Sequence, residues 1–469
     1  MEFPTEVVGE KDSNSWSPQS WRLNIIHAQA VEYRNKSHLD KVCLELEALP
    51  PLVSPAQIED AREAFVQAAK GERFIIQGGD CAESFYDVRP EIINSKASLL
   101  TQQAALIENK LMLPVTCVGR IAGQYAKPRS KPTETLADGT AVMAFRGHNV
   151  NGVGSCERSP NPERLLHGYF HSAATLNTLS IIESQNNYAA STRPPSPTSD
   201  SGDSSPSSNT PSNLTPKQIF TSHEAFLLPY ESSLTRGRYC TSAAFLWVGE
   251  RTRQLNGAHV EFLRGLRNPI GVKLSASASP LELVALLDVL CPQKAAGPGR
   301  VTLITRLGAQ NVKAALPPLV EAVQASGHKP LWISDPCHGN TITAKEIKTR
   351  CAVTMLEELQ QTYAVHRSMG SRLGGLHMEQ TGESVVECVE HIAEGTGELS
   401  LGVNYRTLCD PRLSQEQAML FVERFTDYVR SFEAKERMHG IGLETVGFGS
   451  EKDLVDRLPF FAKELAVFA

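Results

Sequence analysis

Short β-branched and aromatic runs recur along this chain, separated by longer helix-compatible stretches, and that alternation constrains the fold more than any other feature. Strands joined by helical crossovers run parallel and need covering on both faces. Eight such runs can be drawn: Phe74–Gln77, Pro114–Val118, Ala225–Leu228, Ala243–Val248, Ile270–Leu274, Val301–Thr305, Leu331–Ser334 and Gly375–Met378. At or just beyond their ends stand Asp80 and Cys81, Arg120, Tyr230 and Glu231, Glu250 and Arg251, Lys273, Arg306, Asp335 and His338, and Glu379. Polar residues that close buried strands on one side describe the catalytic face of a (β/α)8 barrel, so the expected fold is an α/β TIM barrel. A doubly wound open sheet is the runner-up, disfavoured because no GxGxxG follows the first strand.

The barrel is expected over residues 71–469, preceded by an extension, residues 1–70. That extension carries Trp16 and Trp21 and two amphipathic helical stretches, around Leu39–Leu49 and Pro55–Ala69, and is expected to cap the barrel or pack outside it, or to form a subunit contact. Residues 186–218 form a low-complexity insertion within the barrel. Its centre, Ser191 to Thr215, is nearly all Ser, Pro, Thr, Asn, Asp and Gly and cannot bury a core, so it reads as a disordered surface loop. With 41% hydrophobic residues the rest of the 469-residue chain can bury a large one.

A formal net charge of −6 gives no global attraction for nucleic acid or an anionic membrane, so any anion site is local. No apolar run approaches the roughly 20 residues needed to span a bilayer. The first residues lack a secretory or transit pattern, which predicts a cytoplasmic protein. The ten cysteines are scattered without CxxC pairs, neither a disulfide framework nor a structural zinc site.

Two constellations carry chemistry. The first is Cys81, His338, Glu379 and Asp410. A thiolate, an imidazole and two carboxylates suit a divalent first-row ion, and the carboxylates admit manganese, cobalt, iron or zinc. Cys81, on a glycine turn after a strand, could instead be a nucleophile. His377 competes with His338, since His377 and Glu379 share a strand face; His338 is favoured because Pro336 before it and Gly339 after it place it on a turn. Cys337, Cys388 and Cys409 are expected to pack rather than ligate, although Cys409 could pair oxidatively with Cys81 when metal is absent. The second constellation is cationic: Arg120, Arg251, Lys273 and Arg306 from separate strand ends, with Lys127, Arg129 and Lys131 in a proline-bounded loop. In a mildly acidic protein this predicts a focused site for carboxylate and phosphate. Two anionic groups beside a metal suggest condensation of phosphorylated metabolites.

The motifs GGDCAESF (78–85), RIAGQYAKPRS (120–130), FRGHNVNG (145–152), SAATLN (172–177), HEAFLLPYE (223–231), LWVGERTRQLNGAHVEF (246–262), GVKL (271–274), TRLG (305–308), DPCHGNT (335–341), GGLHMEQTGESVVEC (374–388) and CDPRLSQEQ (409–417) occur in one order. With them the chain resembles the class II 3-deoxy-D-arabino-heptulosonate 7-phosphate (DAHP) synthases from about residue 50 onward. The resemblance implies condensation of phosphoenolpyruvate with erythrose 4-phosphate and water, the first step of the shikimate pathway. It implies Cys81, His338, Glu379 and Asp410 as ligands of one divalent ion, manganese first, then cobalt, zinc or iron. It assigns phosphoenolpyruvate to Arg120, Glu250, Arg251, Lys273 and Arg306, and erythrose 4-phosphate to Lys127, Pro128, Arg129 and Ser130. Lys273, Glu250 and His338 are the candidates for proton transfer. A homo-oligomer, dimer or tetramer, and a chorismate mutase partner are also implied. One departure matters: where longer members carry extra regulatory helices between the second and third strands, this chain has mostly the Ser/Pro segment, so it reads as a short form with weakened inhibition by aromatic amino acids.

Overall fold

The computed structural model describes residues 16–191, 218–390 and 403–440, apart from 24, 25, 137, 295, 296, 345 and 346; within helices, the side chains of 186, 189–191 and 438–440 are also outside the description. Most of the Ser/Pro segment, from 192 to 217, lies outside the described residues.

Eight parallel strands close into a barrel. They are β1 (Phe74–Gly79), β2 (Val115–Arg120), β3 (Ile219–Glu224), β4 (Phe245–Val248), β5 (Ile270–Ser275), β6 (Val301–Arg306), β7 (Leu331–Ser334) and β8 (Leu373–Glu379), paired in chain order with β1 closing against β8. Two helices precede β1: α1 (Lys36–Ala48) and α2 (Pro55–Lys70). One helix then follows each strand: α3 (Pro90–Leu111), α4 (Glu163–Ser191), α5 (Leu228–Ser233), α6 (Ala258–Arg264), α7 (Pro280–Leu290), α8 (Val312–Ser326), α9 (Ala352–Ser368) and α10 (Gln415–Gly440). The chain divides into a unit of residues 1–426, which holds the barrel, and a unit of residues 427–469, whose described part is the C-terminal stretch of α10.

The extension supplies the floor of the barrel. Helix α2 starts at a capping box, Ser54 with Gln57, and has Pro55 in its first turn, where a missing N–H costs nothing. Its buried Ala61, Phe65 and Ala68 pack with Ile75, Phe220 and Phe245 near the amino ends of their strands and with Val118, Ile304 and Ile333 further along theirs. The Phe65 and Phe245 rings lie 4.7 Å apart. Above this apolar plug the interior turns polar. Gln77 donates to Ser222 Oγ at 3.0 Å and its Oε1 lies 2.6 Å from His377 Nδ1, while Trp247 meets His377 edge-on and Lys273 lies over the Trp247 ring. Side chains two residues apart on a strand share a face, so Ser222 and His377 stand below Glu224 and Glu379, and Val118 and Ile304 of the plug below Arg120 and Arg306, all four at the carboxyl ends.

Seven of the expected strands coincide with observed ones; the third does not. Residues 225–228 form no strand and instead lead into α5, with Phe226, Leu227 and Leu228 buried. The true strand, Ile219–Glu224, lies directly before them and has Thr221, Ser222 and His223 at its centre. Ser222 faces the polar interior, bonded to Gln77 and the Gly119 carbonyl, and His223 pairs with Glu231; these polar residues remove the apolar run that announces a buried strand. Tyr230 and Glu231 accordingly belong to α5 and not to a strand end; Glu231 Oε1 sits 2.8 Å from His223 Nε2, on the strand face opposite to Ser222 and Glu224.

Candidate active site

The first constellation converges at the mouth of the barrel. Cys81 arrives on the turn after β1, where Gly79 adopts φ +145° and a Cβ would come within 2.6 Å of the Arg120 carbonyl oxygen. Only glycine lets β1 and β2 approach so closely there. Glu379 ends β8, and Asp410 comes from the loop beyond it. Ligand atoms of Cys81, Glu379 and Asp410 lie within 4.8 Å of one another. His338 joins them from the loop after β7: its Nδ1 is 2.7 Å from Asp335 Oδ2, which turns Nε2 toward Glu379 Oε1 at 2.9 Å. Burial would raise the Glu379 carboxyl, yet His338, Lys127 and Arg350 hold it well below the usual carboxylate range. Asp410 is likewise held down, against burial, by Lys127, Arg350 and Lys348. The Cys81 thiol is pushed well up by burial and by its hydrogen bond with Cys409, so it needs a strong positive neighbour to ionise.

A cation already tests the fit. The Lys127 ammonium hydrogen-bonds Cys81 Sγ, lies 2.5 Å from Asp410 Oδ2 and stands 4.0 Å from Glu379 Oε1. Positive charge therefore sits among the same donors that a divalent ion would take, and their mixed sulfur, oxygen and nitrogen chemistry suits such an ion. His377 is not free to join this set. Its Nε2 accepts from Arg120 Nη1 at 2.8 Å and from Lys273 Nζ at 3.0 Å, which leaves Nδ1–H to donate to Gln77. Burial keeps the ring neutral, its pKa well below the usual histidine range.

The second constellation lines the same mouth. Arg120, buried, donates through Nε to the Asp80 carbonyl and through Nη2 to the Cys81 carbonyl and to Glu379 Oε1. Lys273 is paired with Asp335, and burial pushes its ammonium down to about 8. Arg306 donates to the His338 carbonyl at 2.7 Å while its buried Nε has no protein partner. Arg251 meets Ser130 Oγ at 2.6 Å, so the loop Lys127–Ser130 is drawn against the loop after β4. Pro128 is buried there, and Arg129 reaches Glu134 and Cys409. Glu250 is engaged elsewhere: one oxygen accepts from Arg253 and the other from the Ser275 backbone N–H. Its side chain thus braces the β4 and β5 loops, and the structure does not bring it to the cluster as an open proton acceptor. Cys337 packs, its Sγ accepting from the Glu379 N–H at 3.2 Å.

Three side chains were missed from sequence. Glu224, at the end of β3, has a buried Oε1 without a partner; burial raises its carboxyl, opposed by Lys127, Lys273, Arg120 and Arg251. Had the strand been drawn as Ile219–Glu224, its position would have been visible. Lys348 and Arg350 come from a hairpin of Thr341–Ala344 with Ile347–Arg350 and reach Asp410 Oδ1 and Glu379 Oε2, both at 2.7 Å. No spacing rule announces them.

The chain is similar to known proteins over most of its length. The family model of the class-II DAHP synthetase family matches residues 16–205 and 201–423. A phospho-2-dehydro-3-deoxyheptonate aldolase of Streptomyces coelicolor is 40% identical over 458 residues, covering 90% of this chain and 100% of the relative. One of Neurospora crassa is 38% identical and covers 90% of this chain and 96% of its own length. A third, phospho-2-dehydro-3-deoxyheptonate aldolase AroG of Mycolicibacterium smegmatis, is 36% identical over 80% of this chain and 86% of its own.

Proposed function

The chain belongs to the class-II DAHP synthetase family, and on that premise we propose how its barrel mouth works as a 3-deoxy-7-phosphoheptulonate synthase. The enzyme joins phosphoenolpyruvate to erythrose 4-phosphate with one water, giving DAHP and inorganic phosphate, the first step of the shikimate pathway toward the aromatic amino acids. The carrying observation is the meeting of Cys81, His338, Glu379 and Asp410 with Arg120, Lys273 and Arg306 at one barrel end.

Cys81, His338, Glu379 and Asp410 are the proposed holders of one divalent ion, manganese first, which when bound polarises the erythrose 4-phosphate aldehyde. Arg120, Arg251, Lys273 and Arg306 hold the phosphoenolpyruvate carboxylate and phosphate, while Lys127, Pro128, Arg129 and Ser130 line the aldose phosphate. The Arg251–Ser130 bond keeps the two binding loops together. Holding both anions in one orientation removes much of the entropy of a bimolecular encounter, worth about 7–11 kcal/mol in favourable cases. C3 of phosphoenolpyruvate then forms the new bond to the aldehyde carbon, water adds at C2, and the C2–O bond to phosphate breaks. Three proton movements accompany these bonds, the last being that of the C2 hydroxyl proton, which passes to the departing phosphate as the ketone forms. Lys273, with its lowered pKa, supplies the proton that turns the aldehyde oxygen into a hydroxyl, and Glu224 accepts the proton of the incoming water. His338 is used as a ligand in this scheme and Glu250 as a brace.

The homo-oligomer, the chorismate mutase partner and the cytoplasmic location implied by the resemblance belong to the same proposal; no helix among the described residues is long and apolar enough to cross a membrane. The test is phosphate release from phosphoenolpyruvate with erythrose 4-phosphate, and with arabinose 5-phosphate for comparison, after chelation and re-addition of manganese, cobalt or zinc. Activity restored by metal with the four-carbon aldose alone is expected, and Cys81→Ser should stay folded and inactive. Full activity in that variant would remove Cys81 from the site.

A further inference from the structure

We propose that a buried chain of four charges, Lys96, Asp80, Arg412 and Glu387, sets the affinity of the ion site by fixing Cys81 and Asp410 relative to one another. The inference rests on the reading of those two residues as ligands. Asp80 directly precedes Cys81, and Arg412 follows Asp410 by two residues. Lys96, from α3, pairs with Asp80, whose other oxygen lies 2.6 Å from Arg412 Nη1. Arg412 then grips Glu387 in a fork, Nη2 at 2.8 Å and Nε at 3.0 Å. Glu387 in turn accepts from three backbone N–H groups, of Arg406, Thr407 and Arg412, at 2.8–3.0 Å, holding both ends of the loop that carries Asp410. The Thr407 hydroxyl closes that loop from within, donating to the Asp410 carbonyl at 2.9 Å. The Asp80 carbonyl is itself held by Arg120 Nε at 2.7 Å.

All four side chains are at most 6% exposed. Four buried charges are a poor way to gain stability, because desolvation offsets their attraction and apolar packing would serve as well. What they do supply is geometry: directional bonds joining two loops whose proposed ligands, Cys81 and Asp410, are 329 residues apart, without occupying a ligand atom of either. These are positioning residues, and outer partners of metal ligands of this kind commonly change metal affinity by about 10–100-fold.

The experiment uses the full chain, stripped of metal and titrated with cobalt(II). It reads the dissociation constant by competition with a chelator, and separately the thiolate-to-cobalt charge-transfer absorption. The wild type should show the band and Cys81→Ser should lose it. Asp80→Asn should stay folded, bind cobalt roughly 10–100-fold more weakly and show a weakened band. Arg412→Lys, which keeps the charge and loses the fork, should fall between the two, and it carries the same comparison if Asp80→Asn is not recovered folded. Unchanged affinity and an unchanged band, with only a lower melting temperature, would reduce the chain to a structural role and overturn the proposal. A wild type without the band would instead remove Cys81 as a ligand, and this proposal with it.

Discussion

Glu224 shows how much of the chemistry rests on single side chains in unusual surroundings. Its half-buried carboxyl, with Oε1 buried and without a partner, is raised by desolvation against the opposing pull of four cations, which suits the proton-accepting role proposed for it. Glu224→Gln should lower kcat by roughly 10²-fold or more while both KM values change far less; steady-state kinetics showing the reverse, a raised KM at full kcat, would make it a binding group. Lys273 gives a pH signature. Its ammonium is charged below about 8 and neutral above it, so kcat/KM for phosphoenolpyruvate should fall as pH rises through that value, because the free enzyme then loses a cation for the anionic substrate. A flat profile across that pH would detach Lys273 from phosphoenolpyruvate. Both residues also mark where sequence reading succeeds and stops. Lys273 was legible because it interrupts an apolar strand, whereas Glu224 lay hidden beside a strand drawn too late. Glu250 was legible as an acid at a strand end, but its two backbone and arginine partners could be known only from the fold.

At the scale of elements, the strands were readable where both faces are apolar and unreadable where the barrel interior is polar, as in β3. The hairpin bearing Lys348 and Arg350 was equally silent, since a fully buried arginine makes sense only once its partner Glu379 is in place. Helix α9 adds another such case. Its buried Glu358 accepts from the backbone N–H groups of Leu307 and Gly308 at 2.8 and 3.0 Å and from Asn340 at 2.6 Å, tying the loop after β6 to the loop after β7. Burial pushes its carboxyl up to about 7. Because the folded pKa is raised, this group favours the fold most when protonated, and that contribution is lost as pH rises from the ordinary glutamate range to about 7. The loss amounts to roughly 3 kcal/mol. Denaturant unfolding of wild type and Glu358→Gln over that pH range should give profiles that diverge by about this amount, and parallel profiles would contradict it.

For the whole molecule, the order of motifs and the strand-helix alternation were enough to read a barrel with its mouth at the carboxyl ends, and the apolar face of α2 was visible as a helix. That α2 forms the floor was not, because the phenylalanine and alanine side chains that plug the barrel look the same in any buried helix. The Ser/Pro segment offers a test at this scale. Its composition gives it no core to build, so replacing residues 192–217 with a short Gly/Ser linker should leave kcat and melting temperature within error. The same reading predicts that tryptophan, phenylalanine and tyrosine, singly or in pairs, inhibit weakly or not at all. Strong inhibition of the intact chain that disappears with the segment would reverse both expectations.

Cys81 stands just after the first strand and Asp410 beyond the last, and the first and last strands are neighbours only in the closed barrel. During translation the thiol leaves the ribosome long before the carboxylate that faces it exists. An early ion would find one ligand of the four, too few to retain it against cellular competitors. For the ion site proposed above, loading therefore waits until His338, Glu379 and Asp410 have joined Cys81.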